Sequence, residues 1–76
     1  MSFQAYLKTI KEKTGLDPKD FRTKAEEKNF TQHGQLLPAV KAGEIVTWLK
    51  NDYDLGHGHA MAIYALLKGI KDENSQ

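Results

Sequence analysis

The spacing of apolar residues along the chain predicts short helices, beginning at the N-terminus. Phe3, Tyr6, Leu7 and Ile10 recur at positions i, i+3, i+4 and i+7, which places them on one face of an α-helix. Gly15 suits the left-handed residue that follows a helix end. The pattern therefore predicts a first helix over residues 3–14, with the Ser2 hydroxyl as a cap for its opening turn.

A second helix is predicted over residues 18–28 by its start signal. Asp17 is a favourable N-cap, and Pro18 follows at the first helical position, where its missing N–H costs nothing. The apolar face of this helix is thin, with Phe21 and Ala25 as its main members. We expect it to lie at the edge of the core.

The next segment, residues 29–37, is polar and has no period, so it is predicted to be a loop. Pro38 is expected to open a third helix over residues 39–51. The apolar row of that helix consists of Ala42, Ile45, Val46 and Leu49, and Tyr53 continues the row beyond the predicted end. Gly43 costs about 1 kcal/mol inside a helix relative to alanine. Its presence predicts that the backbone of the first or fourth helix approaches it closely.

A fourth helix is predicted over residues 58–68, after a glycine-containing turn at 54–58. Its apolar residues cover so much of its circumference that we expect the other three helices to pack around it. The polar tail, 72–76, has nothing to bury and is predicted to be disordered. The predicted fold class is all-α, a compact bundle of four short helices in one domain over residues 1–71.

Composition narrows the classes of function. A chain of 76 residues forms one domain, and without cysteine it has neither disulfides nor thiolate metal ligands. Eleven basic and ten acidic residues give a net charge of +1, which provides little attraction to nucleic acid or acidic membranes. There is no apolar run long enough for a bilayer and no signal-peptide pattern at the N-terminus. We therefore expect a cytoplasmic location and no membrane association.

Two stretches resemble a known family. Residues 41–50 read KAGEIVTWLK and residues 55–63 read LGHGHAMAI. This paired signature, together with the start of the chain, resembles a bacterial family of small helical domains of unknown function. The resemblance covers nearly the whole chain and implies a small helical domain. It implies no activity, cofactor or catalytic residue.

His57 and His59 are the first candidates for a functional role, as metal ligands. On a helix, residues two apart point about 200° away from each other, so these two converge only if the turn is extended. A third ligand would have to come from His33, Asp52 or Asp54. We expect no metal site: one histidine caps or packs the turn, and the other is solvated.

The same turn is also a candidate anion site. Gly56, His57 and Gly58 precede a helix whose first N–H groups lack intrahelical partners and carry the positive end of the dipole. Lys41 or Lys50 could add charge. No phosphate-loop motif is present, and many ordinary helices start after glycine, so the structural role is favoured.

Aromatic residues on the third helix are the remaining candidates. Trp48 and Tyr53 could anchor a partner, because Trp and Tyr dominate binding hot spots, although burial in the core is the favoured role for Trp48. Catalysis is not expected, because no serine or cysteine accompanies a base and Glu44 and Asp54 are isolated carboxylates.

Nucleic-acid binding is possible but not favoured. The third and fourth helices could mimic a helix-turn-helix unit. The would-be recognition helix, however, is apolar and has no basic side chain before Lys68, so it has little with which to contact bases or phosphates.

We therefore predict a small interaction module, not an enzyme, that requires no cofactor or metal. It binds an unidentified protein partner or another copy of itself. The predicted binding residues are Trp48, Tyr53, Gly56, His57, Gly58 and His59. The alternative is a weak nucleic-acid or anion (phosphate) binder that uses the turn at 56–59.

Overall fold

The computed structural model describes residues 3–71, and in that range it contains four α-helices and one small antiparallel sheet. In chain order the elements are α1 (Phe3–Thr14), α2 (Pro18–Glu27), β1 (Thr31–Gln32), β2 (Gln35–Leu36), α3 (Ala42–Tyr53) and α4 (His57–Lys68). The predicted cap Ser2 and the predicted disordered tail, 72–76, lie outside the described residues.

The first two helices have the bounds that their end signals predict, to within one residue. Gly15 has a φ of +76°, and its N–H donates to the carbonyl of Lys11 at 2.7 Å. At the start of α2, the Asp20 carboxylate accepts a hydrogen bond from the backbone N–H of the N-cap Asp17 at 2.9 Å. Both contacts satisfy backbone groups that a helix end leaves without intrahelical partners.

The segment predicted to be a loop contains a hairpin, so the all-α prediction is wrong in this detail and the fold is mostly α. Thr31 pairs with Leu36 and Gln32 with Gln35. The two turn residues, His33 and Gly34, have φ values of 55° and 78°, the left-handed pair that suits a two-residue hairpin turn. With only two residues per strand, no alternation of apolar and polar positions could develop.

Helix α3 starts at Ala42, three residues later than predicted. Pro38 and Ala39 form a turn in which the N–H of Val40 donates to the carbonyl of Leu37 at 3.0 Å. The helix begins after Lys41, whose backbone is extended. Proline fits a turn as well as a first helical position, and no Ser, Thr, Asp or Asn is present here to mark the true N-cap.

Gly43 does not lie against another helix, although its unfavourable helix propensity predicts a close approach of that kind. Apart from its own helix, no atom of the described residues lies within 4 Å of the position where its Cβ would stand. The expected close approach of α1 or α4 is therefore wrong. Gly43 lies on the exposed face of α3, and nothing within residues 3–71 explains why it is a glycine.

Helix α4 packs against α1, α2, α3 and β2, which confirms the predicted central position. Its Ala60, Ile63, Leu66 and Leu67 are at most 2% exposed. Phe21 of α2 and Ile45 of α3 are fully buried in the same core. The Cα radius of gyration is 11.1 Å, as expected for a compact chain of this length, for which the value is about 11 Å. Each helix within residues 3–71 is too short or too polar to cross a lipid bilayer.

We predict that Gly43→Ala stabilises the protein by less than the roughly 0.5–1 kcal/mol expected in mid-helix, because alanine has the higher helix propensity and open space surrounds the site, but Gly43 is only the second residue of α3. Gly15→Ala is the matched control and should destabilise it by about 1–2 kcal/mol, because an L side chain is strained at a left-handed φ. Urea unfolding followed by circular dichroism measures both changes. A Gly43→Ala variant that is less stable than the natural chain would contradict this prediction and would show that the fold itself requires glycine at position 43.

Candidate functional site

The predicted binding residues fall into two groups in the structure. Trp48 and Tyr53 of α3 have their ring centroids 5.9 Å apart at an interplanar angle of 77°. Tyr53 also meets Phe21 edge to face at 5.4 Å, and Trp48 lies 5.4 Å from Phe30. These four rings form an aromatic cluster that joins α2, the start of the hairpin and α3. Edge-to-face pairs of this kind stabilise beyond the area they bury.

Trp48 lies mainly in the core, because only 6% of its surface is exposed. Its indole Nε1–H is buried and has no hydrogen-bond partner among residues 3–71. An unpartnered buried donor costs roughly 1–3 kcal/mol, so the apolar contacts of the ring must outweigh that cost. Trp48 therefore contributes a wall to any binding surface here rather than a projecting anchor.

Tyr53 is half-buried beside acidic groups. Burial raises the pKa of its hydroxyl above the ordinary value of 10.0, and the negative charges of Asp52 and Glu27 raise it further. Both effects disfavour the tyrosinate. The hydroxyl is therefore a neutral hydrogen-bond donor and acceptor at physiological pH.

The second group lies at the start of α4. The imidazole of His59 is half-buried and meets the ring of Tyr6 on α1 edge to face at 5.2 Å and 82°. His57 is exposed, as are Gly56 and Gly58. The residues predicted from this turn thus include one that packs against α1 and three that are open to solvent.

The structure bears on both ligands considered for the turn at 56–59, a metal ion and an anion. Within residues 3–71, no group of three His, Cys, Asp or Glu side chains is placed to hold a metal ion. Lys41 precedes α3 whereas the turn follows it, and a helix of 12 residues spans about 18 Å. Lys41 is therefore too far away to add charge to an anion at the turn, which corrects that part of the sequence prediction.

The aromatic cluster borders an open groove of about 510 Å³. We call it the α3 groove, and its lining residues are Lys28, Phe30, Gly43, Glu44, Thr47, Trp48, Asn51 and Asp52. Gly43, Thr47 and Asn51 follow one another at intervals of four residues, so they form one row along the outer face of α3. The row has no bulky or charged side chain, and it is exposed along its length.

The charged side chains of the α3 groove are an ion pair at one end and a lone carboxylate at the other. At one end, Lys28 Nζ lies 3.5 Å from Asp52 Oδ2. Glu44 lies eight residues before Asp52 on the same helix, which is about 12 Å along its axis. With two carboxylates and one ammonium group, the lining is a poor match for the phosphates of a nucleic acid.

A second cavity was missed by the sequence reasoning. It has a volume of about 400 Å³ and lies between the hairpin and the C-terminal end of α4. Lys68 Nζ donates to the Tyr64 hydroxyl at 3.2 Å on its rim, and Leu36 and Leu67 are among its apolar walls. No sequence signal could have found it, because the hairpin that forms one side was not predicted.

The chain matches a family model over most of its length. Residues 2–69 match the family described as a domain of unknown function (DUF4287), and this range includes both α3 and α4. No curated protein and no solved structure matches the chain.

The raised pKa of Tyr53 predicts a specific dependence of stability on pH. The folded state holds the tyrosine proton more tightly than the unfolded chain does. The contribution of this group is therefore fully present below about pH 10, the unfolded value, and is lost as pH rises through the higher folded pKa. We expect Tyr53→Phe to lose less stability than the natural chain between pH 9 and pH 11, as measured by urea unfolding.

Absorbance titration of the tyrosinates gives an independent measurement of the same shift. Asp52→Asn should lower the pKa of Tyr53, because it removes a neighbouring negative charge. If the free energy of unfolding depends on pH equally in the natural chain and in Tyr53→Phe, the raised pKa of Tyr53 in the folded state is contradicted.

Proposed function

The chain belongs to the DUF4287 family of domains of unknown function, and we propose that it is a protein-interaction module that docks its partner in the α3 groove. The observation that carries the proposal is the exposed row of Gly43, Thr47 and Asn51 beside the walls that Phe30 and Trp48 form. Together they make a surface with aromatic sides and an unobstructed helix face.

Gly43 supports the proposal because nothing within residues 3–71 requires a glycine at that position. A glycine on an exposed helix face allows another backbone to come closer than any other residue would. The space above it is open, so a partner's helix could lie along the row. Recognition of a helix in a shallow groove is a common mode of protein binding.

The aromatic walls support a protein partner rather than a small polar ligand. Phe30 is half-buried and packs on Trp48, so the two rings present a rigid apolar edge that loses little side-chain entropy on binding. Binding hot spots are enriched in residues of this type and are surrounded by polar rims. Lys28, Glu44 and Asp52 are placed to form such a rim.

We propose no catalytic activity for the α3 groove. It is open to solvent, and Lys28 is paired with Asp52 at one end, whereas most catalytic sites exclude water from an enclosed cleft. The turn at 56–59 is the alternative surface, for a nucleic acid or an anion. Its His59 packs against Tyr6, which leaves His57 as the exposed side chain there that could donate to an anion.

We expect Thr47→Arg to reduce partner capture at least tenfold, because it places a long charged side chain in the middle of the α3 groove. Thr9→Arg, on the exposed face of α1, is the matched control and should capture as the natural chain does. The measurement is quantitative mass spectrometry of proteins retained from native lysate. A photo-crosslinking amino acid at Asn51 identifies what contacts the groove.

Two results would contradict the proposal. One is equal capture by Thr47→Arg and Thr9→Arg, with no crosslink from Asn51. The other is retention of nucleic acid that falls steeply as salt rises, which is the signature of phosphate contacts, combined with its loss on His57→Ala.

A further inference from the structure

We infer that the cavity between the hairpin and the C-terminal end of α4 binds a small monocarboxylate with an apolar body. The cavity shares no lining residue with the α3 groove, so the inference goes beyond the proposed function and does not rest on it. It follows from the size of the cavity, its apolar walls, its single charge and the hydrogen-bond donors around that charge.

The size and walls of the cavity suit a small organic molecule. Its volume of about 400 Å³ lies within the range of roughly 300–1,000 Å³ that is typical of small-molecule sites. Leu67 of α4 is buried in its wall, whereas Leu36, Leu37 and Val40 are half-buried there. An apolar ligand would cover the part of these side chains that is still exposed to water, which favours binding.

The charge of the lining indicates which polar group the ligand has. Among the described residues that line the cavity, Lys68 has the one charged side chain, and no carboxylate is present. A lysine in the last turn of a helix is common and would not by itself indicate a ligand. Here it stands at the rim of an apolar cavity whose lining provides no counter-charge. One ammonium group matches one negative charge on the ligand.

Tyr64 holds the Lys68 ammonium at the rim. Lys68 Nζ donates to the Tyr64 hydroxyl at 3.2 Å and lies 5.6 Å from the centroid of the same ring. An ammonium group has three N–H donors, and this bond uses one of them, so the others can reach a carboxylate. The Tyr64 hydroxyl accepts from Lys68 and can donate its own proton to the ligand.

The negative end of the α4 dipole is partly compensated within the chain. The carbonyl of Ala65 accepts hydrogen bonds from the N–H groups of Ile70 and Lys71 at 3.0 and 3.3 Å, and that of Leu66 accepts from Gly69 at 3.2 Å. These bonds satisfy carbonyls that a helix end leaves without intrahelical partners. They reduce the repulsion that the helix end would exert on an anion beside Lys68.

Strand β2 provides a further donor. Gln32 pairs with Gln35, and the N–H of Leu37 donates to the carbonyl of Phe30 at 3.0 Å. In an antiparallel pair the residue between two such positions directs its N–H and C=O away from the partner strand, and here that residue is Leu36. Residues 34–38 line the cavity without interruption, as the outer edge of a strand does, so the Leu36 N–H can donate to a ligand oxygen.

The test uses 4-phenylbutanoate and its uncharged analogue 4-phenylbutanamide as probes, titrated separately into the isotope-labelled chain and followed by NMR. We expect saturable shifts of the backbone amides of Leu36, Leu67 and Lys68. The carboxylate should bind roughly fivefold more tightly than the amide, because a charge-assisted contact at a partly exposed site contributes about that factor.

Lys68→Met isolates the charge, because methionine keeps an unbranched apolar stem. It should lower the affinity for the carboxylate to about that for the amide and leave amide binding unchanged. Lys50→Met is the matched control, because Lys50 is also exposed in the last turn of its helix but does not line the cavity. It should bind both probes as the natural chain does. Circular dichroism verifies that both variants fold.

The inference is overturned if neither probe gives saturable shifts, if the shifts map outside the cavity, or if the natural chain binds the two probes equally. It is also overturned if Lys68→Met weakens both probes to the same extent. Thr47→Arg should bind the carboxylate as the natural chain does. Normal protein capture by Thr47→Arg therefore removes the interaction module alone, and loss of the carboxylate preference removes this site alone.

Discussion

Helix α4 is apolar around most of its circumference, so it is stable only where other elements cover it on several sides. In the structure, α4 is covered by α1, α2, α3 and β2. Burying side chains such as Ile63, Leu66 and Leu67 stabilises the fold by roughly 1.5–3 kcal/mol each. Whole domains are stable by only about 5–15 kcal/mol, and short ones lie towards the lower end. The contacts of α4 therefore decide whether the chain folds.

The central position of α4 also determines which surfaces are left for binding. Ile45 and Leu49 of α3 are buried in the core. The opposite face of α3, with Gly43, Thr47 and Asn51, is exposed within residues 3–71. The aromatic cluster links α2 to α3 beside this face. Open space lies above Gly43 on this face, which is why we assign the proposed interaction to it rather than to the histidine turn.

The helices could be predicted from the sequence because each has a clear local signal. Asp17 and Pro18 mark the start of α2, and Gly15 marks the end of α1. The hairpin could not be predicted, because strands of two residues have no period and the His33–Gly34 turn lacks the Asn, Asp or Gly that typically precedes glycine in such turns. The site was only partly predictable: Trp48 was named, but Gly43 was assigned to a contact inside the fold. Which residues share the groove depends on the packing of α2 and the hairpin against α3, and no local pattern encodes that.

Native-state hydrogen exchange tests the central position of α4 most directly. Our account predicts that the amides of Ile63, Leu66 and Leu67 exchange only through global unfolding, with the free energy that urea denaturation gives. No amide of α1, α2 or α3 should then be better protected. Exchange of the α4 amides through a local opening of lower free energy, while α1 and α3 stay protected, would contradict the account.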